Sequence, residues 1–187
     1  MNWRIIFTAA FFFLNACSVT PEKPLQDFQL TSRQHLQQLQ DWAFEGRLAV
    51  VDENDSVSLS IVWRHGQDKD DIELAGPLAQ GRTKISVSPG QVVIDDGDSR
   101  NVYLGEPEQV FAEQLGVDMP VGALKFWVLG VNEPKYSYVE QPGGFSQSGW
   151  LVIYREMQKA NSEVLPKKIT AEKDTAKIKL IIDQWDI

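Results

Sequence analysis

From Trp42 onward the chain alternates between apolar and polar positions. In WAFEGRLAVV, Trp42, Phe44, Leu48 and Val50 interleave with Glu45 and Arg47; in SVSLSIVW, Val57, Leu59, Ile61 and Trp63 interleave with Ser56, Ser58 and Ser60. A period of two places each set on one face of a sheet, so both segments read as half-buried strands. DENDS between them reads as a hairpin loop. The alternation continues through Ile72 and Leu74, Ile85 and Val87, VVID and VYL, with turns at SPGQ and DDGDS. The Asp96-Gly97 pair suits a turn that needs positive φ. Strands resume at KYSYVEQ, GWLVIYREM, KKITAEK and KIKLIIDQW.

Three segments break the period. Ser32 to Gln40 reads as a helix with Leu36 and Leu39 three apart and Ser32 placed to cap it. Pro107 opens a second, with Val110, Phe111 and Leu115 on one face. Pro120 opens a third, with Leu124, Trp127 and Val128 in helical spacing and Gly130 placed to end it. The expectation is a mainly β fold with some α: an antiparallel sheet of about eleven strands and three helices. Short turns join antiparallel neighbours, and a large twisted sheet curls. Its concave apolar face needs a cover, which the amphipathic helices supply.

The first thirty residues follow other rules. Arg4 precedes the apolar run Ile5 to Leu14, then Asn15, Ala16 and Cys17, the one cysteine in the chain. A cationic start, a short apolar core and a small residue before the cut describe a secretory signal. The run falls short of the roughly 20 residues a membrane-spanning helix needs. Leu14-Asn15-Ala16-Cys17 resembles the lipobox of bacterial lipoproteins, which implies cleavage after residue 16 and acylation of Cys17. Ser18 after the cysteine implies the outer membrane, by the same resemblance. A single cysteine makes no internal disulfide. The expected organisation is a signal over 1–16, a lipidated tether over 17–30 and one domain over 31–187.

Net charge of −8 argues against nucleic acid, which needs clustered Lys and Arg. No metal or cofactor is expected: His35 and His65 are the only histidines, outside any zinc-ligand spacing. No catalytic residue is expected either. GFSQS lacks the second glycine of a nucleophile elbow, and neither GxxxxGK[ST] nor GxGxxG occurs. What remains is apolar. Five of the six tryptophans, Trp42, Trp63, Trp127, Trp150 and Trp185, lie beyond the signal. Residues of this kind suit an ordinary core or the lining of a lipid cavity. The candidate lining is Phe44, Leu48, Leu59, Ile61, Trp63, Ile85, Trp127 and Trp150.

Taken together, the lipobox, WAFEGRLAV, VSLSIVW, GPLAQGRTKISV, LGVDMPVGALKFWVLG, GWLVIYREM, LPKKI and IKLIIDQW resemble the LolB family of outer-membrane lipoprotein receptors. The most specific part is P-x-x-x-L-x-x-W-x-x-G from Pro120 to Gly130, with the glycine-tryptophan strand and the terminal tryptophan strand. The resemblance implies an open antiparallel half-barrel closed by three helices and enclosing an apolar cavity. It implies a monomer at the periplasmic face of the outer membrane. Its partners would be the carrier LolA, acylated lipoprotein cargo and membrane lipid. It also makes Leu78 a membrane-acting leucine; where the family commonly reads N-P-L-G, this chain reads Gly76-Pro77-Leu78-Ala79, with the glycine displaced to Gly81. The residues themselves leave two alternatives open, another periplasm-facing lipid-binding lipoprotein and a structural envelope scaffold.

Overall fold

The computed structural model describes residues 24–51, 56–79, 81–115 and 119–187. The signal, Cys17 and the DEND loop tip lie outside the described residues. Eleven strands form: β1 (Trp42–Val51), β2 (Ser56–Gly66), β3 (Lys69–Ala75), β4 (Thr83–Ser88), β5 (Gln91–Asp95), β6 (Arg100–Leu104), β7 (Tyr138–Gln141), β8 (Gly144–Gln147), β9 (Trp150–Ala160), β10 (Glu163–Lys173) and β11 (Ala176–Asp186). They make a single antiparallel sheet in the order β6-β5-β4-β3-β2-β1-β11-β10-β9-β8-β7. The first six strands are a meander, as the short turns require, and the last five are another. Pairing of the first strand with the last joins the two meanders at the centre of the sheet.

The helices α1 (Pro107–Leu115) and α2 (Val121–Trp127) lie in the connection from edge strand β6 to edge strand β7. Residues of the apolar stripes read from sequence, Val110 and Phe111 on α1, Leu124 and Trp127 on α2 and Val128 just after it, are buried in one cluster with the inner face of the sheet, joined there by Val121. Gly130 takes φ 82° just after α2, a left-handed conformation that ends the helix cheaply only in glycine.

The N-terminal region differs from expectation. The leading helix forms over Thr31–Gln38 as a 3₁₀ helix, two residues short of Gln40, and Ser32 does not cap it; its Oγ donates to the Gln29 carbonyl at 2.9 Å. Leu36 is its one buried residue, so tertiary hydrogen bonds rather than an apolar stripe hold it. Residues 24–30, read as part of a tether, are packed on the barrel. The Leu25 N–H donates to the Tyr154 carbonyl at 3.2 Å, Phe28 stacks on Tyr154 with ring centres 4.4 Å apart, and Leu30 is buried.

The β1–β11 seam carries a bulge. Glu45 faces Gln184 while Gly46 faces Ile182, so Asp183 is an extra residue in β11. The insertion keeps both Ile182 and Trp185 on the inner side, where Trp185 meets Phe44 edge-on at 5.3 Å between ring centres. Opposite it, a Cβ on Gly46 would overlap the Ile181 carbonyl oxygen. Gly46→Val is therefore expected to cost about 2–4 kcal/mol of stability. Urea unfolding checks this, and a midpoint equal to wild type would show that the seam tolerates a side chain.

Candidate functional site

The inner face of the sheet gathers the predicted lining residues. Phe44 and Leu48 come from β1, Ile61 and Trp63 from β2, Ile85 from β4, Trp150 from β9 and Trp127 from α2; all seven are buried in the common apolar cluster. Leu59 is only half-buried. The inner positions of β2 grade in exposure from 0% at Trp63 and 1% at Ile61, through Leu59, to 38% at Val57. Val50, opposite Val57 on β1, is also half-buried. The apolar face is thus sealed at its middle and open at one rim.

Leu78 stands at that same rim. β3 ends at Ala75, opposite Ser60 of β2, so the loop that follows lies beside the exposed start of β2. Leu78 is 93% exposed and takes φ 60°, ψ 27°. A left-handed conformation costs a residue with a Cβ roughly 1–2 kcal/mol. The exposed side chain buries almost nothing in return for that strain.

Polar groups fix α2 against the sheet, and sequence reasoning missed them. Gln147 is buried; its Oε1 accepts from Trp127 Nε1 at 3.0 Å and from the Glu133 N–H at 2.9 Å, while its Nε2 donates to the carbonyls of Glu133 and Tyr136, both at 2.9 Å. The Tyr154 hydroxyl donates to the Trp127 carbonyl at 2.9 Å. Burial pushes that phenol's pKa far above the usual tyrosine value, so it stays a neutral donor. Arg33 reaches across to three carbonyls, Gly130 at 3.1 Å, Leu129 at 2.8 Å and Val164 at 2.8 Å. Burial lowers its pKa, against the opposing pull of Tyr154 and Glu163, yet a guanidinium remains charged. A lone arginine in SRQHL and a glutamine in GFSQS carry no local signal; only the fold shows what they meet.

A second polar group sits under the aromatic cluster. Asp70 is buried and accepts from Trp63 Nε1 at 2.8 Å, with His65 Nδ1 at 2.7 Å. Trp42 stacks on the His65 ring at 5.0 Å between centres. These residues lie at the end of β2 away from the rim, and the histidine ring is satisfied there as a structural partner. Among the described residues no group of His, Cys, Asp and Glu is arranged to hold a metal ion.

A family profile described as outer membrane lipoprotein LolB matches residues 40–185. An outer-membrane lipoprotein LolB from Pseudomonas fluorescens (strain Pf0-1) is 31% identical over 160 residues, covering 82% of this chain and 78% of the relative. One from Halorhodospira halophila is 29% identical over 155 residues, covering 79% and 76%. One from Marinomonas sp. is 27% identical along the whole of both chains. Among solved structures, a LolA superfamily protein from Nitrosomonas europaea superposes with a TM-score of 0.53 at 6% identity, covering 79% of this chain and 86% of that one. That likeness is one of fold.

Gln147→Leu would strand the Trp127 Nε1–H and the Glu133 N–H without partners. A loss of about 2–4 kcal/mol is expected. In a double-mutant cycle with Trp127→Phe, which removes the indole donor, the two losses should fall short of additivity. Full additivity in denaturant unfolding would show that the pair does not couple.

Proposed function

The chain belongs to the LolB family of outer-membrane lipoproteins, and from that premise we propose that it accepts lipoproteins from the carrier LolA and inserts them into the outer membrane from its periplasmic face. The observation that carries the reading is the exposure gradient along the inner face of β2, ending at a rim where Leu78 projects 93% exposed. An acyl chain arriving at this rim meets apolar side chains continuously from Val57 inward. Residues Phe44, Leu48, Leu59, Ile61, Trp63, Ile85, Trp127 and Trp150 are the surface it would reach as the helices give way.

Energetics explain why such a receptor is needed. A lipoprotein with three acyl chains carries roughly 45 methylenes, and at about 0.8 kcal/mol each its attachment amounts to tens of kcal/mol. Free passage through water is negligible. Without a nucleotide the handover runs downhill, from carrier to receptor to bilayer. The receptor therefore binds acyl chains with intermediate strength. No bond is made or broken, and the role requires no catalytic residue. Cys17, acylated, keeps the receptor at the destination, while Leu78 gains about 1.5–3 kcal/mol on entering lipid, enough to orient the rim and too little to anchor.

Two outcomes test the division of labour. Cys17→Ala behind a cleavable secretory signal should be soluble and still accept lipoproteins from loaded carrier; mass spectrometry of co-purifying protein reads this, and folded protein without cargo contradicts it. Leu78→Glu should accept cargo normally but deliver it poorly to liposomes. Normal delivery by that variant, or a defect confined to acceptance, would overturn the role given to Leu78.

A further inference from the structure

The outer face of the sheet carries a trough beside the Leu78 loop that packing of the inner face does not use. It arises from side-chain size. Two cross-strand rows run from β11 through β1 to β2 on this face, Lys179–Ala49–Ser58 and Ile181–Arg47–Ser60. The floor positions Ala49, Ser58 and Ser60 are small. Longer side chains from β11 stand on one side, and Gly76, Pro77 and Leu78 stand on the other. The space between them measures about 500 Å³.

Its chemistry is amphipathic. Pro77, Leu78 and Ile181 give it apolar sides. Arg47 is held by Asp183 through two hydrogen bonds, at 3.2 Å and 2.8 Å, and is not free for another anion. Lys179 is exposed and makes no ion pair among the described residues. Ser58 is exposed, whereas the Ser60 hydroxyl is engaged with the Ala75 carbonyl at 3.2 Å. Among the described residues the Lys179 ammonium and the Ser58 hydroxyl have no partner, and both face an apolar wall that ends in the exposed Leu78. With a net charge of −8 the molecule as a whole is repelled by an anionic surface, so any attraction must come from a local feature such as this one.

We propose that this trough is a phospholipid headgroup site, in which Lys179 and Ser58 hold the phosphate of a bilayer lipid while Leu78 enters the acyl layer beside it. The proposal rests on the reading that the Leu78 rim faces the membrane. Lys179 lies in the row of Ser58, next to the loop that follows Ala75. A lysine beside a membrane-dipping leucine extends its stem along apolar surface and places its charge in the polar zone of the leaflet, about 5–8 Å thick. The site would also fix the rotation of the domain about the membrane normal, which one leucine alone leaves free.

The test uses the full chain with Cys17→Ala behind a cleavable signal, so that its own anchor does not mask weak binding. It is titrated with vesicles of phosphatidylcholine alone and of phosphatidylcholine containing phosphatidylglycerol. Lys179→Gln should weaken binding to the anionic vesicles about fivefold, Lys179→Glu more, and the effect should shrink at about 1 M ionic strength. Ser58→Trp fills the trough without changing charge and should match Lys179→Gln. Lys159→Glu, an exposed lysine away from the trough, should have less than a twofold effect, and unfolding midpoints confirm that each variant is folded. Equal losses at Lys159 and Lys179 would mean diffuse electrostatics and overturn the site, as would unchanged binding by both Lys179→Glu and Ser58→Trp. Inorganic phosphate shifting the Ser58 and Lys179 amide resonances at millimolar concentration without vesicles would mean a free-anion site instead. If Leu78→Glu fails to deliver cargo while the trough variants behave as wild type, the membrane-facing rim stands and the headgroup site falls; normal delivery by Leu78→Glu removes both.

Discussion

An open sheet with one apolar face must be covered, and here the cover is pinned at Trp127. Its indole is buried between Phe145 and Trp150, its Nε1 donates to Gln147, and its carbonyl accepts from Tyr154. Much of the architecture depends on that junction. The long connection from one sheet edge to the other is held over the concave face because α2 cannot slide without leaving buried polar groups unpaired, at about 1–3 kcal/mol each. Arg33 adds three carbonyls from the outside and ties the N-terminal helix to the same place. Ordinary packing energies then suffice for the rest of the cover.

This arrangement sets a contrast along the barrel. Near Trp127 the apolar contacts are reinforced by hydrogen bonds; toward Val57 and Leu78 they thin out into solvent. Apolar contacts are non-directional and reform with any apolar guest, whereas buried hydrogen bonds do not. Under the proposed function a hydrocarbon chain would replace protein contacts progressively from the rim, while the polar junction would limit how far the cover separates.

Much of this was legible in the sequence. Period-two alternation located the strands because each faces the core on one side only, and Pro120 with Gly130 bracketed α2 because both residues are constrained by φ. The spacing of Leu36 and Leu39 marks the leading helix, whereas its 3₁₀ geometry goes with arginine and glutamine side chains that reach the segment just after α2. Residues 24–30 read as a tether because TPEKPLQDFQL has no period; they are held by the stacked Phe28 ring, the buried Leu30 and the Leu25–Tyr154 hydrogen bond, none of which leaves a pattern. The candidate site divides in the same way. The inner stripe was readable, and Leu78 was singled out by resemblance. Gln147, Arg33 and the trough on the outer face depend on residues far apart in sequence meeting across the sheet.

The docking of residues 24–30 on β9 has a consequence for search. Were Cys17 acylated as proposed, residues 17–23 would be all that separates the membrane from the docked segment, a span of at most about 25 Å. A domain on so short a leash experiences the membrane surface at an effective concentration in the millimolar range. Encounters weak enough to be undetectable between free molecules are then frequent. Under the proposed function the fold would visit and leave the lipid surface many times during one delivery, without needing a contact strong enough to trap it there.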